Sequence, residues 1–370
     1  MGGGPRVGVD GRVFEPPRTG VGRYAHEVGR ALDALLPPDA RFLVYARRAV
    51  PLPGPPPRWT LRTEPVAALQ RLPASAWLLL RAGALARRDA LSVFWAAATL
   101  RPHGLGAVPA VATVYDLNHL VVPETMPFGL RGVHAVRFGP DLRAAASVVA
   151  ISHGTAERVQ RAYGLHVAAV APPAVGPAFM PPSAGEVARV RAGHRLDGPY
   201  FLAVATREPR KNLGLLVAAF EAARARGALG RHQLVLAGGA GWGGVLTPRS
   251  AADGTGGVRA LGFVPDAELP ALYAGATAFV FPSRYEGFGM PVLEARACGA
   301  AVLATDLPEL REAGGAGPRY LAPAALRAEL DAALVDAAAG RLARCDPAGA
   351  RAWGWSDAGR VYAEQIQRVL

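Results

Sequence analysis

Two glutamates stand eight positions apart in one short segment, and their surroundings indicate a ligand site. The segment reads Ser283-Arg-Tyr-Glu-Gly-Phe-Gly-Met-Pro-Val-Leu-Glu294, so Glu286 falls in a glycine-containing turn and Glu294 in the first turns of a predicted helix. Pro291 suits the first helical position and Gly299 the C-terminal cap. The positive end of such a helix favours a phosphate group. The alternative is a loop-to-helix turn whose glutamates are only cap and surface groups.

The single lysine of the chain is the second candidate for chemistry. Among 41 Lys and Arg residues, Lys211 is the lone lysine, and it follows Arg210 just after the apolar run 200–205. That run predicts a strand, Pro209 predicts a loop, and Asn212 can cap the next helix. Arg210 and Lys211 would therefore lie at the carboxyl end of a strand, where open α/β sheets bind ligands. The alternative is a solvated basic turn.

Short apolar runs alternate with helical patterns along the whole chain, which predicts an α/β protein. Strands are predicted at 6–10, 42–45, 108–114, 147–151, 200–205, 233–237, 258–261, 278–281 and 301–304. Helices are predicted at 22–36, 130–145, 155–163, 213–226, 267–274 and 326–339. The proline-rich stretch 171–182 is the predicted interdomain linker.

Length and composition bound the remaining possibilities. A chain of 370 residues predicts about two domains. Two cysteines give neither a disulfide framework nor a metal-binding spacing, which fits a reducing compartment. No secretory signal and no apolar stretch long enough to span a bilayer is visible, so a cytoplasmic location is expected.

Basic side chains are concentrated in the N-terminal half. Residues 1–180 hold 20 basic and 11 acidic side chains, whereas residues 181–370 hold 21 and 18. This imbalance predicts an anionic partner such as a membrane surface or a phosphorylated acceptor. The arginine-rich stretch 58–88 could rest on anionic lipid, or it could pack on its own sheet with solvated arginines. Nucleic acid is not expected, because no recognition motif is present.

A glycine string at 239–244 fits a dinucleotide-binding pattern but lacks its context. Pro248 interrupts the segment where a helix should continue, and no suitable acidic residue follows at the required distance. The string is therefore a poor indication of a dehydrogenase.

Taken together, these segments resemble retaining glycosyltransferases of family 4 over nearly the whole chain. The matching segments are Val7-Gly-Val-Asp-Gly-Arg12, Arg18-Thr-Gly-Val-Gly-Arg-Tyr24, Val111-Ala-Thr-Val-Tyr-Asp-Leu117, Glu208-Pro-Arg-Lys-Asn212, Leu261-Gly-Phe-Val-Pro-Asp266 and the paired-glutamate segment. The resemblance implies a GT-B fold, with two Rossmann-like domains facing each other across a cleft. Residues 1–175 would bind the acceptor, residues 176–350 the nucleotide sugar, and a helix in 351–370 would return to the N-terminal domain.

The resemblance also implies the donor site. Glu294 would accept hydrogen bonds from the ribose, Arg210 and Lys211 would neutralise the diphosphate, and Glu286 would hold a sugar hydroxyl as a catalytic residue together with Lys211 and Asp116. The other donor-binding residues would be Gly20, Thr206, Phe263, Val264, Phe288, Gly289 and Met290. No Asp-x-Asp metal motif occurs, so neither metal nor cofactor is expected. Retention implies a front-face or a double displacement, and the front-face route is favoured because no nucleophile is evident.

Two positions depart from the family pattern. Tyr115 replaces a frequent histidine before Asp116, and tyrosine is a poor proton shuttle at neutral pH. His119 could substitute for it or be structural, so Tyr115, Asp116 and His119 are the acceptor-binding candidates. Thr206 stands where many members have arginine, and Arg210 is expected to compensate.

The resemblance favours a GDP-mannose-like donor and a glycan or lipid-linked acceptor, for an enzyme that is cytoplasmic or peripheral on the inner face of the membrane. A nucleotide-sugar epimerase and a non-catalytic partner subunit are the alternatives.

Overall fold

The computed structural model describes residues 4–16, 19–239, 241 and 257–370, and the chain divides into two compact units. The first comprises Met1–Leu120, Phe128–Pro173 and Trp353–Leu370, and the second Val121–Pro127 and Ala174–Ala352. The chain thus passes from one unit to the other inside the proline-rich stretch 171–182. The sequence predicted an unbroken first domain over residues 1–175. In the structure, the short segment 121–127 groups with the second unit instead.

The first unit is built on a seven-stranded parallel sheet in the order β3-β2-β1-β4-β5-β6-β7. Its strands are β1 Arg6–Asp10, β2 Arg41–Ala46, β3 Trp59–Thr63, β4 Val93–Ala96, β5 Ala110–Val114, β6 Ser147–Ala150 and β7 Ala169–Val170. Its helices include α1 Gly20–Leu35, α2 Ala74–Trp77, α3 Gly83–Ala86, α4 Asn118–Val121, α5 Phe128–Arg143 and α6 His153–Tyr163. Strands β4, β5 and β6 are buried throughout, as expected of a parallel sheet covered on both faces.

The second unit repeats this plan with a six-stranded parallel sheet in the order β10-β9-β8-β11-β12-β13. The strands are β8 Tyr200–Val204, β9 Gln233–Ala237, β10 Val258–Gly262, β11 Ala278–Phe281, β12 Val302–Thr305 and β13 Arg319–Leu321. The helices are α7 Ala184–Gly193, α8 Leu213–Ala225, α9 Leu269–Gly275, α10 Met290–Ala297, α11 Pro308–Gly314 and α12 Leu326–Ala338. The last helix of the chain, α13 Trp355–Val369, belongs to the first unit.

The predicted fold class is confirmed: both units are Rossmann-like, with parallel strands joined by helices. Each predicted strand and helix is present with its ends moved by at most a few residues, while β3, β4, β7 and β13 were not predicted. Within the described ranges, the structure has no helix with both the length and the apolar character needed to cross a bilayer. Most of the glycine string 239–244, together with Arg18 and Pro248, lies outside the described residues.

Candidate active site

The basic loop of the second unit follows the carboxyl end of β8, as the sequence predicted. A 3-10 turn over Pro209–Lys211 leads into Asn212, whose φ of 56° is left-handed, and α8 starts directly after it. Asn212 occupies the predicted cap position, but its side chain makes no capping hydrogen bond, so its contribution is the left-handed turn that few residues accept readily. This turn sends the Lys211 side chain inward, where it is only 9% exposed.

The carboxylate of Glu286 is the partner of both cations. It lies in the loop between β11 and α10 and is 5% exposed. Lys211 Nζ donates to Glu286 Oε1 at 2.6 Å, and the Arg210 guanidinium donates to Glu286 Oε2 at 2.8 Å. Arg210 also donates through Nε to Glu208 Oε2 at 2.9 Å. The structure therefore brings together the three charged residues that the sequence singled out in two separate motifs, and it adds Glu208.

Electrostatics keep Glu286 ionised. Burial would raise the pKa of its carboxyl, but the Arg210 and Lys211 charges outweigh burial and lower that pKa to about 2. The pKa of Lys211 is lowered by burial and by the neighbouring Arg210 charge, and Glu286 offsets only part of that. The Lys211 ammonium also lies 5.0 Å from the centroid of the Phe281 ring, which stabilises a buried cation. A compact cluster of two cations and two carboxylates results.

The start of α10 is shaped by Gly289. This residue is the N-cap, with a φ of 101° that side-chain-bearing residues rarely adopt, and an added Cβ would lie 2.3 Å from Leu310 Cδ2. Phe288 before it is buried, and Met290 after it begins the helix. The helix begins at Met290, so Pro291 is its second residue and not, as predicted, its first. Gly299, with a φ of 67°, follows the C-cap Cys298 and ends the helix close to the predicted position. The positive end of α10 therefore follows directly on the Glu286 loop.

The second glutamate of the motif lies inside α10. Glu294 is 4% exposed, and Tyr273 of α9 donates a hydrogen bond to its Oε2 at 3.2 Å. This places a buried carboxylate on a helix that starts at the Glu286 loop. Tyr273 was not predicted, because Leu269-Pro-Ala-Leu-Tyr273 has the pattern of an ordinary core helix.

The remaining residues that were predicted to bind the sugar donor differ in solvent exposure. Thr206 is exposed in the loop after β8, and Phe263 is 76% exposed in the turn after β10. Val264 is only 5% exposed, so its side chain packs into the unit and leaves Phe263 as the accessible member of that pair. An exposed aromatic ring has the surface on which a nucleobase can stack.

In the first unit, Gly20 and Tyr115 occupy the ends of secondary-structure elements. Gly20 is the first residue of α1, and the Thr19 side chain caps that helix by accepting from the Gly22 N–H at 3.2 Å. Tyr115 follows β5 and donates its hydroxyl to the Ala97 carbonyl at 2.9 Å, while burial raises the pKa of Tyr115 well above its usual value. Tyr115 therefore remains protonated and cannot take the place of a titrating histidine.

Asp116 and His119 are placed in different environments. Both carboxylate oxygens of Asp116 accept hydrogen bonds from Asn118, one from its backbone and one from its side chain, at 3.0 Å each, and the residue stays half-buried. His119 is 6% exposed, its Nε2 lies 2.7 Å from the Tyr163 hydroxyl, and its ring packs 4.4 Å from that of Phe138. Burial lowers the pKa of His119 to about 4. This placement favours the structural interpretation of His119.

His134 is a candidate that the sequence did not indicate. It lies on α5, is half-buried, and interacts electrostatically with Asp116 and Arg12, although burial is the main cause that lowers its pKa. Its position inside a helical pattern gave no signal of proximity to Asp116, because that proximity arises from packing. In the described parts of the chain, no three His, Cys, Asp or Glu side chains are grouped as a metal ion would require. The metal-free reaction stays a prediction.

Comparisons with known proteins agree with this architecture. Residues 198–339 match the family model "Glycosyl transferases group 1". The chain is 32% identical over 219 residues to O-antigen chain mannosyltransferase B of Escherichia coli, a match that covers 58% of this chain and 57% of that protein. The matched region thus spans little more than half of this curated relative.

Solved structures resemble nearly the whole chain. Anabaena Alr3699/HepE in complex with UDP and glucose superposes with a TM-score of 0.64 at 16% identity and covers 98% of this chain and 99% of that one. WaaG, a glycosyltransferase involved in lipopolysaccharide biosynthesis, gives 0.64 at 15% identity and covers 97% and 95%. At such identities the resemblance shows the fold alone, and that fold is GT-B.

Proposed function

We propose that this chain, which carries a glycosyl transferases group 1 domain on a GT-B fold, transfers a hexose from a nucleotide-diphosphate sugar to a glycan or lipid-linked acceptor. The observation that carries the proposal is the buried Glu286 held by Arg210 and Lys211 immediately before the positive end of α10. A nucleotide sugar presents a ribose, a diphosphate and a hexose. The second unit offers a carboxylate for hydroxyl groups and cations for phosphate within one loop cluster.

Each side chain has a proposed task. Arg210 and Lys211 neutralise the diphosphate as it leaves, and the N–H groups at the start of α10 add to that stabilisation. Glu286 accepts a hydrogen bond from a sugar hydroxyl and stabilises positive charge that develops at the anomeric carbon. Glu294 accepts the ribose hydroxyls, and Phe263 stacks near the base. Thr206, in the loop after β8, lies beside the path of the phosphate on the second unit.

The chemistry we propose is a front-face displacement that retains the anomeric configuration. The acceptor oxygen bonds to the anomeric carbon on the face from which the diphosphate departs, the carbon–oxygen bond to the diphosphate breaks, and the departing phosphate oxygen takes the acceptor proton. On the first unit, Asp116 is the residue that we propose to bind the acceptor hydroxyl. In this scheme the charge of the leaving group is met by Arg210, Lys211 and the helix end, so it proceeds without a bound metal.

We favour a GDP-mannose-like donor. The support is similarity to proteins described as mannosyltransferases, whereas one structural relative is described in complex with UDP and glucose. The names of the first group give mannose as the transferred sugar, and the description of the second gives a uridine nucleotide with glucose. Incubating the protein with GDP-mannose or UDP-glucose and an oligomannoside, then assigning the new linkage by NMR, tests donor, transfer and anomer together. A product with the anomeric configuration of the donor supports the proposal.

Two results would oppose the proposed reaction route, and two others would favour an alternative function. An inverted product would refute the retaining route, and trapping of a covalent glycosyl-enzyme would refute the front-face step. Release of an isomerised nucleotide sugar without transfer would favour the epimerase alternative. A protein that binds the nucleotide but neither transfers nor hydrolyses any donor would fit the non-catalytic subunit.

A further inference from the structure

Tyr273 of α9 meets the glutamate of α10 from inside the second unit. The Tyr273 side chain is fully buried, and its hydroxyl donates to Glu294 Oε2 at 3.2 Å. Glu294 is itself 4% exposed, so a ligand can reach its carboxylate only from the open side. A ligand that does so meets a carboxylate of which one oxygen is already held by a neutral donor.

Aromatic packing fixes the position of the Tyr273 ring. Phe279 of β11 meets it edge to face, with the ring centroids 5.1 Å apart and an interplanar angle of 87°. Phe179 packs on it at 6.5 Å with an angle of 53°. Edge-to-face contacts of this kind are favoured between aromatic rings. Because a tyrosine side chain turns about only two torsions, packing of its ring also fixes its hydroxyl oxygen.

Helix α9 is anchored at both ends by bonds that do not involve α10. At its N-cap, Glu268 Oε2 lies 2.7 Å from His194 Nε2. Near its C-terminal end, the Leu272 carbonyl accepts a hydrogen bond from the buried Tyr200 hydroxyl at 2.8 Å. The Tyr273 hydroxyl is therefore a fixed point in the second unit.

A glutamate carboxylate gains precision from such a fixed point. Its side chain turns about three torsions, and ordering it when a ligand binds costs rotamer entropy. A donor that already holds one carboxylate oxygen removes part of this cost before the ligand arrives. Ribose presents two neighbouring hydroxyls, and a carboxylate that is held in one orientation can accept from both at once.

We propose that Tyr273 is a positioning residue, which orients Glu294 to accept the ribose 2′-hydroxyl and so lets the protein distinguish a ribonucleoside diphosphate from its 2′-deoxy counterpart. This inference rests on the proposed function, because it takes Glu294 as the ribose ligand. We call the ratio of the Kd for the 2′-deoxynucleotide to the Kd for the ribonucleotide the ribose preference.

Calorimetric titration of the full chain with GDP, UDP and ADP and with their 2′-deoxy forms measures the ribose preference. We expect at least about tenfold for the nucleotide that the wild type binds, because a hydrogen bond to a charged group is lost in the deoxy form. Tyr273→Phe keeps the ring and removes the hydroxyl. It should weaken binding of the ribonucleotide and leave that of the deoxynucleotide nearly unchanged, so the ribose preference should fall below about threefold. A merely structural defect would weaken both nucleotides alike.

Tyr200→Phe is the matched control. It also removes one buried hydroxyl that holds α9, but that hydroxyl bonds to the Leu272 carbonyl. This variant should keep the wild-type ribose preference, and thermal unfolding of each variant separates lost stability from lost selectivity. In the Glu294→Ala background, Tyr273→Phe should change the ribose preference no further, because the two residues act as one unit.

The outcomes separate this inference from the proposed function. If Glu294→Ala lowers the affinity and the ribose preference but Tyr273→Phe leaves the preference intact, Glu294 is the ribose ligand and the positioning role of Tyr273 is wrong. An equal fall in Tyr200→Phe would assign the effect to the placement of α9 and would also overturn the role of the hydroxyl. A wild type without a ribose preference would overturn the inference alone. If no nucleotide binds, or if Glu294→Ala binds like the wild type, the proposed function fails and the inference fails with it.

Discussion

At the scale of single residues, the cluster around Glu286 is balanced before any ligand arrives. Arg210 and Lys211 supply two positive charges, and Glu208 and Glu286 supply two negative ones, all within hydrogen-bonding distance. A diphosphate that approaches must share these cations with Glu286. Under the proposed function, that sharing would weaken the hydrogen bonds to the Glu286 carboxylate and free it for a sugar hydroxyl, so phosphate binding and sugar binding would be coupled through the same side chains.

Removing Lys211 should damage transfer, and it should also lower stability, because the buried Glu286 carboxylate would keep Arg210 alone as a cationic partner. Lys211→Ala takes away one of the two cations that we propose to meet the leaving group, and the loss of one such electrostatic contact typically lowers kcat by about a hundredfold or more. Steady-state kinetics with the preferred donor measures this decrease in kcat. Arg226→Ala is the control, because Arg226 forms an exposed ion pair with Asp331, and such pairs contribute little. Near-normal turnover of Lys211→Ala would show that the phosphate site lies elsewhere.

The free energy of unfolding should depend on pH through His119. Its pKa is about 4 in the folded protein against 6.5 for an ordinary histidine, so the folded state binds fewer protons in that interval. The free energy of unfolding should fall as pH is lowered from about 6.5 to 4, by an amount on the order of 3 kcal/mol at most. Urea unfolding across this interval checks the slope.

The matched variants for this test are His119→Phe and His166→Phe. The first should reduce the pH dependence to the part that His134 contributes, because the His119 ring that must remain neutral is gone, and it should keep transfer activity if His119 is structural. His166 is exposed, so its variant should follow the wild type. An activity loss in His119→Phe with unchanged stability would restore the acceptor-binding interpretation.

The sequence anticipated the charged residues of the site better than their partners. Lys211, Arg210, Glu286 and Glu294 stand in local patterns of loop and helix start, which spacing alone can indicate. Tyr273 is visible only after α9 packs against α10. Its hydrogen bond to Glu294 is a product of tertiary structure, and no local pattern encodes it.

At the scale of elements, the turn into α10 determines where the Glu286 loop ends and the helix begins. Gly289 has a φ of 101° and packs against Leu310, which is itself fully buried. Gly289→Ala should both strain the backbone and displace Leu310. Together these effects should lower the free energy of unfolding by about 1–3 kcal/mol. The Tm of thermal unfolding and the affinity for the nucleotide should both decrease. Gly227→Ala is the control, because it also has positive φ but meets nothing within 4 Å, so it should share the backbone strain alone and lose less stability.

Elements with strong local patterns were predicted, and those without them were missed. The strand at 233–237 is apolar after its first residue, Gln233, and was located residue for residue. Strand β3 contains Thr60, Arg62 and Thr63 at the edge of its sheet, and β13 has only three residues with an arginine at its start. Both depend on pairing with a neighbouring strand for their conformation, which a single-sequence pattern does not contain.

At the scale of the whole molecule, the end of the chain completes the first unit. Helix α13 packs on α1, where Gly359 allows close approach: a Cβ added there would lie 2.3 Å from Ala31 Cβ. Tyr362 joins a buried hydroxyl network, with its oxygen 2.8 Å from Thr113 Oγ1 and 3.3 Å from the Tyr24 hydroxyl. The sequence predicted a returning helix by resemblance, but these contacts required the folded chain.

This packing predicts that Gly359→Val destabilises the first unit. The side chain would force α13 away from α1, and overpacking of this kind costs about 1–3 kcal/mol. Differential scanning calorimetry should show a lower Tm for Gly359→Val, whereas Arg360→Ala on the exposed side of α13 should be near neutral. A Gly359→Val protein as stable as the wild type would mean that α13 docks differently.

The central claim is that the second unit binds a nucleoside diphosphate through Glu294 and the basic loop. Calorimetric titration of the full chain with GDP, UDP, ADP and TDP, beside Glu294→Ala and the exposed control Glu221→Ala, tests it directly. We predict that one nucleotide binds, that Glu294→Ala weakens it at least about tenfold through lost charge-assisted hydrogen bonds, and that Glu221→Ala does not. Absence of binding by all four nucleotides, or equal binding by Glu294→Ala and the wild type, would contradict the account.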